Sequence, residues 1–270
     1  RERQQAFAET ATPDCRDGDC HACGVCDFKE LRMRLTDVAA PVSPPKTKDS
    51  VSEEDKAEEL TRVRLRLSKR GRARMVGHLE YLTMFQRAVR RAKLPIRFSN
   101  GFHPTPKVSY LEALPMGVAS EAELIDLELL YPVAVEQVIA ALNAHLPEGF
   151  AVIAGAVIPW KSPSPSAALL SSLYRVPLPQ PIPAELSERI RAFLNAEQVL
   201  VTRLKKGRME QVDLRPNVLN MAIINGELEL NLVKGSPLLV AGTLLEMDIE
   251  DVRRLQLRKI GITLKEPPAG

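Results

Sequence analysis

The stretch TRVRLRLSKRGRARMVGHLEYLTMFQRAVRRAKLP, residues 61–95, decides the fold. It opens with an alternation. Val63, Leu65 and Leu67 fall on one side, and Arg62, Arg64 and Arg66 on the other. A period of two marks a half-buried strand. After a basic turn at 69–72 the period changes. Leu79, Leu82, Phe85, Ala88, Val89 and Ala92 recur at helical spacing and predict a helix over 78–93 with that stripe buried. Gly77 is a tolerable N-cap, Glu80 suits the positive N-terminal end of the helix, and Pro95 stops it.

Outward from this stretch the strand and helix signals continue. Residues 96–99 read as a short extended piece. The loop 100–107 carries Pro104 and Pro106, which fix φ and remove donors. Strands are expected at 108–114 and 123–130, a helix at 133–145 and a strand at 150–158. The order β-α-β-β-α-β is the ferredoxin-like arrangement. Residues 161–171 are rich in Ser, Pro and Ala and read as a linker. The same alphabet then repeats: a strand at 173–178, a helix at 184–194, a strand at 199–204 and a basic turn at 205–208. Asn225-Gly226 between two alternating runs signals a hairpin. A helix at 238–247 and a helix-to-strand segment at 255–264 close the chain. The expected class is α+β: two ferredoxin-like units in tandem, a basic one over 61–160 and a second, with an inserted hairpin, over 172–265. A cysteine-cluster segment (1–38) and a disordered linker (39–60) precede them. The linker reading rests on Pro41, Pro44 and Pro45 followed by a polar run.

The chain has 270 residues, of which 45% are apolar but only 4% aromatic, so an aliphatic core is expected. No run approaches the roughly 18 apolar residues of a membrane span, and no secretory leader is legible. The first residue is Arg1, which reads as the start of a fragment or of the tail of a longer chain.

All four cysteines, Cys15, Cys20, Cys23 and Cys26, lie in one short segment spaced C-x4-C-x2-C-x2-C. A secreted domain spreads its cysteines to staple distant parts, so clustering points to a cytoplasmic protein and to a metal centre. Four thiolates satisfy tetrahedral zinc or an iron–sulfur cluster. The C-x2-C-x2-C succession leans to the second, and a redox-inert or disulfide-prone tail is the plain alternative.

The net charge of +3 conceals an asymmetry. Between Arg62 and Lys107 there are thirteen Lys and Arg residues against one acid, Glu80. Arg87, Arg90 and Arg91 share a helix face at i, i+3 and i+4, and Arg70, Arg72 and Arg74 stand just before that helix. With Lys107 they form the expected nucleic-acid face. Tyr81, Phe98, Phe102 and Tyr110 offer possible stacking partners. The alternatives are a solvated surface balanced by the acidic remainder and a docking surface for an acidic protein. His78 at a helix start and His103 in the rigid loop are the candidates for acid–base chemistry, though a lone histidine is more often structural. No Ser/His/Asp set, phosphate-cradling glycine loop or carboxylate-rich metal site is legible.

At Gly77-His78-Leu79-Glu80, at 98–107 (FSNGFHPTPK) and at 114–120 (LPMGVAS), the sequence resembles a bacterial family of uncharacterised radical-SAM-linked proteins, over roughly residues 61–265. The family's loop often carries histidine where Thr105 stands here, which weakens a catalytic role for that position. The resemblance implies a domain fused to, or encoded beside, a radical-SAM protein with a cobalamin-binding region, and residues 1–37 resemble the last stretch of that partner. A radical-SAM cluster needs C-x3-C-x2-C; the x4 spacing here implies instead an auxiliary cluster or a zinc site. S-adenosylmethionine would enter only through the partner.

The expectation is therefore an accessory domain that binds RNA or a ribosomal component for a radical-SAM modification enzyme, away from any membrane, and is not catalytic alone. The alternatives are an RNA-processing or RNA-modifying enzyme using His78 or His103, and an iron–sulfur protein-docking scaffold.

Overall fold

The computed structural model describes residues 60–100, 103–205 and 207–265. Strand β1 (Thr61–Lys69) buries Val63, Leu65 and Leu67. A 3-10 turn (Gly71–Met75) leads into helix α1 (His78–Arg91). The Gly77 amide donates to the Glu80 carboxylate at 2.8 Å, which satisfies an otherwise orphaned donor at the helix start. The buried stripe of α1 is Tyr81, Phe85, Ala88 and Val89. Leu79, expected in that stripe, is 77% exposed. Two residues along a helix is a rotation of about 200°, so Leu79 and Tyr81 cannot share a face. The larger ring takes the core.

Strands β2 (Val108–Tyr110) and β3 (Ala119–Leu129), helix α2 (Val135–Asn143) and strand β4 (Phe150–Ile158) follow. The strands of this half lie side by side as β4-β1-β3-β2, all antiparallel. Residues 161–171, expected as a linker, instead hold a helical turn, α3 (Pro165–Ala168), and the start of β5 (Leu169–Pro177). The Arg64 guanidinium donates to the Pro163 carbonyl at 2.7 Å, and Arg62 donates to that of Ser162. Proline and serine content marks irregular backbone, but here side chains from β1 hold that backbone down.

The second half runs β5, α4 (Leu186–Asn195), β6 (Leu200–Lys205), β7 (Arg208–Asp213), β8 (Val218–Ile224), β9 (Glu227–Leu232), α5 (Pro237–Leu245), α6 (Ile249–Arg254) and β10 (Arg258–Leu264). Its sheet order is β10-β5-β9-β8, again antiparallel, while β6 and β7 pair with each other in a separate two-stranded ribbon. Asn225 and Gly226 both take left-handed backbone (φ 52 and 77) between β8 and β9, the geometry a tight two-residue hairpin demands.

Two apolar clusters form, one within the first half and one in the second half that also takes in Leu114 and Val118. The halves join where β10 runs parallel to the start of β3, pairing Arg258 with Ala119 and Lys259 with Ser120. The result is one mixed, mostly antiparallel eight-stranded sheet. Across the join a single row of register partners reads Phe150, Lys69, Ser120, Lys259, Tyr174, Leu230.

Candidate nucleic-acid interface

The fold divides the basic residues of 62–107 into two groups. The first is neutralised from β3, which lies beside β1 and carries four acids. Asp126, with its side chain 1% exposed, accepts from Arg62 Nη2 at 2.7 Å and from Arg64 Nε and Nη2 at 2.7 and 2.9 Å. Arg97 pairs with Glu128 at 3.0 Å and stacks over the Trp160 ring at 5.8 Å. Arg70, expected on the nucleic-acid face, is held by Glu121 at 2.9 Å, with both side chains largely exposed. The single local acid, Glu80, is therefore a poor measure of the charge balance: a strand finds its counter-ions across the sheet, not along the chain.

The second group has no ion pair among the described residues: Arg72, Arg74, Arg87, Arg90, Arg91 and Lys107. All but the half-buried Arg74 are exposed. Arg87 and Arg91 line an open groove of about 380 Å³ between the C-terminal ends of α1 and α2, with Met84, His145, Leu146 and Pro147. Among the described residues no carboxylate lines it. Arg90 projects from the same helix beside it. Lys107 stands on a ribbon closed by the bridge between Phe98 and Pro106 and by the Lys107 amide donating to the Arg97 carbonyl at 2.8 Å. Arg72 and Arg74 face a different cleft, shared with Arg254 and Arg258.

Three of these partners escaped the sequence reading. His145 lies far along the chain from Arg87 and has no local pattern to mark it. Arg254 and Arg258 belong to the basic run RRLQLRK (253–259), a signal that was present but lay outside the segment of highest charge.

The stacking candidates are corrected in part. Tyr81 and Tyr110 pack with Phe85 and Phe150 in a core cluster, ring centroids 5.7–6.5 Å apart, and burial pushes both phenols well up in pKa. Tyr81 is buried and not available to bases, while Tyr110 is half-buried. Phe98 is exposed, and Phe102 lies outside the described residues.

At the sheet join lies a buried charge cluster. Lys259 Nζ sits 2.5 Å from Glu123 Oε1, and Ser120 Oγ donates to the same oxygen at 2.7 Å. Lys69, also buried, donates to the Val76 carbonyl at 2.7 Å. Burial lowers the Lys69 pKa from 10.5, the Lys259 charge adds to that, and Glu123 opposes it.

His78 is the first residue of α1 and half-buried, while His103 is exposed in the loop. No hydrogen bond among the described residues ties either to a carboxylate. Cys15, Cys20, Cys23 and Cys26 lie outside the described residues, and among those described no group of three or more His, Cys, Asp or Glu is placed to hold a metal. Among them, too, no helix is long and apolar enough to cross a membrane.

The fold and site define a class: an α+β protein on one mostly antiparallel sheet, with an arginine-bearing helix left uncompensated on its surface. The chain belongs to the DUF2344 family, described as an uncharacterised protein conserved in bacteria, whose model matches residues 62–245. No curated protein matches. Among solved structures it is similar to a chain of a Cbf5–Nop10–Gar1 complex, at 12% identity and a TM-score of 0.36, over 74% of this chain and 48% of that one. The likeness thus spans about half of that chain.

Proposed function

We propose that the protein is an accessory domain that holds RNA, free or within a ribosomal component, for a radical-SAM modification enzyme, either fused or separate. The observation that carries the RNA-binding part is the state of α1. Arg87, Arg90 and Arg91 are exposed and without an acidic partner among the described residues, whereas the arginines of β1 each find one or are spent on backbone carbonyls. Three neighbouring arginines without an acidic partner among the described residues keep a standing field for an anion. The link to a radical-SAM partner rests on the motifs at 77–80, 98–107 and 114–120. The fourth-first-third-second strand order in each half supports reading the sheet as two ferredoxin-like units side by side.

RNA binding across a salt series tests this. With full-length protein and total bacterial RNA, binding should weaken with salt. Arg87→Ala, Arg90→Ala and Arg91→Ala together should flatten the log K against log salt slope by about 2, at about 0.7 per lost contact to single strands. The fold should survive, since Tyr81, Phe85 and Val89 are untouched. Equal affinity and slope in both proteins would leave the three arginines as solvated surface.

A further inference from the structure

A second basic site lies away from the α1 groove, at the join of the two halves. It is an open cleft of about 660 Å³, within the range of small-ligand sites. Four arginines line it: Arg72 and Arg74 from the 3-10 turn, Arg254 from the end of α6 and Arg258 from the start of β10. Arg254 and Arg258 are anchored from outside the cleft by Asp251 and Glu227, each at 2.6 Å. Among the described residues Arg72 and Arg74 have no ion pair and no carboxylate lines the cleft. Met75, about half exposed, and Leu255 add apolar surface beside the charges.

The walls are tied together by backbone. The Gly117 amide donates to the Arg74 carbonyl at 2.8 Å, and the Ala119 amide donates to the Leu257 carbonyl at 2.9 Å. The two residues at the entry to β3 thus clamp the 3-10 turn to the α6–β10 turn. Gly117 has φ +91, and a Cβ there would lie 3.2 Å from Arg253 Cγ, so the clamp needs glycine. Gln256, which also lines the cleft, holds left-handed backbone at φ 60. Such conformations concentrate where the surrounding structure presents a ligand surface.

We propose that this cleft binds a nucleotide, with its phosphate in the guanidinium fork of Arg72, Arg74 and Arg258 and its base against Met75 and Leu255. Guanidiniums match phosphate oxygens bidentately, and a thioether beside them gives an adaptable apolar surface for a flat ring. A polyanionic peptide would satisfy the charges but would leave Met75 and Leu255 unused. The same chemistry fits a free mononucleotide or one nucleotide of a strand. The site does not depend on the α1 groove.

The test uses full-length protein with AMP, adenosine, pentaadenylate and poly-glutamate, in titrations at low salt. Arg72→Ala with Arg74→Ala should weaken the bound nucleotide at least about tenfold, the scale of one or two charge-assisted hydrogen bonds. Binding of AMP with that loss, and adenosine at least about tenfold weaker, identifies a free-nucleotide site. Binding of pentaadenylate alone, with the same loss, identifies a strand. The loss should be equal in an Arg87→Ala, Arg90→Ala, Arg91→Ala background, so that failure at one site leaves the other reading standing. If the alanine pair melts below wild type, Arg72→Gln with Arg74→Gln replaces it. The proposal falls if neither nucleotide binds, if the pair leaves affinity unchanged, or if poly-glutamate binds as tightly as pentaadenylate.

Discussion

Lys259 of β10 and Glu123 of β3 form a buried ion pair, Nζ to Oε1 2.5 Å, at the point where the two halves of the sheet meet. A register shift between β1 and β3 brings Glu123 to the same side as Ser120, whose hydroxyl donates to the paired oxygen. Lys69 occupies the same row two strands from Lys259. The Glu123 carboxylate therefore pairs with Lys259 and also attracts the buried Lys69, to which Glu80 adds a weaker attraction.

Replacing that carboxylate should be more damaging than replacing either base. Glu123→Gln leaves Lys259 without its counter-charge and removes the stronger of the two carboxylate attractions on Lys69, the other being Glu80, and should lower unfolding free energy by about 3–5 kcal/mol. Lys259→Met should cost less, because Glu123 retains Ser120 and the attraction of Lys69. Urea denaturation of both single variants and the double variant gives the coupling. A loss below about 1 kcal/mol for Glu123→Gln would show that the pair does not hold the join.

Lys69 should make stability rise with pH. Its folded pKa lies below 10.5, so between that value and 10.5 the unfolded chain binds a proton that the native chain has released. Unfolding free energy then increases with pH across that window, and the increase should vanish in Lys69→Met. The comparison belongs below about pH 10. Above it Tyr81, Tyr110 and Tyr174, whose pKa values burial pushes up, ionise first in the unfolded chain and stability falls. Melts of wild type and variant from about pH 7 to 10 decide it; parallel curves would place the titration elsewhere.

Asp126→Asn should destabilise the first half strongly. It strips the counter-charge from Arg62 and Arg64, whose side chains are only 10% and 16% exposed. The expected loss is about 3–5 kcal/mol by chemical denaturation. Arg66→Ala on the same face should be nearly neutral, because Arg66 is exposed and, among the described residues, reaches only the Glu121 carbonyl.

Cys15, Cys20, Cys23 and Cys26 should bind one metal centre together. Elemental analysis of protein purified without air should show zinc or iron, with a visible charge-transfer band in the iron case. Changing all four to Ser should remove it. Full metal retention in the quadruple variant would sink the assignment.

The sequence by itself determined the local elements. The alternation over 61–69 places Val63, Leu65 and Leu67 inside, Glu80 closes the start of α1, and Asn225-Gly226 turns β8 into β9. Each follows from neighbours a few residues apart, where periodicity and φ preference act directly. Tertiary structure alone decided what those faces meet. Arg62 and Asp126 stand 64 residues apart, and only the β1–β3 register makes them partners. Arg87 shares its groove with His145 because the C-terminal ends of α1 and α2 line one groove, and Arg74 shares its cleft with Arg258 because the halves join between β3 and β10. Charge compensation and cleft formation are non-local: a residue's type says that it needs a counter-ion or solvent, and strand register and helix packing choose which it finds.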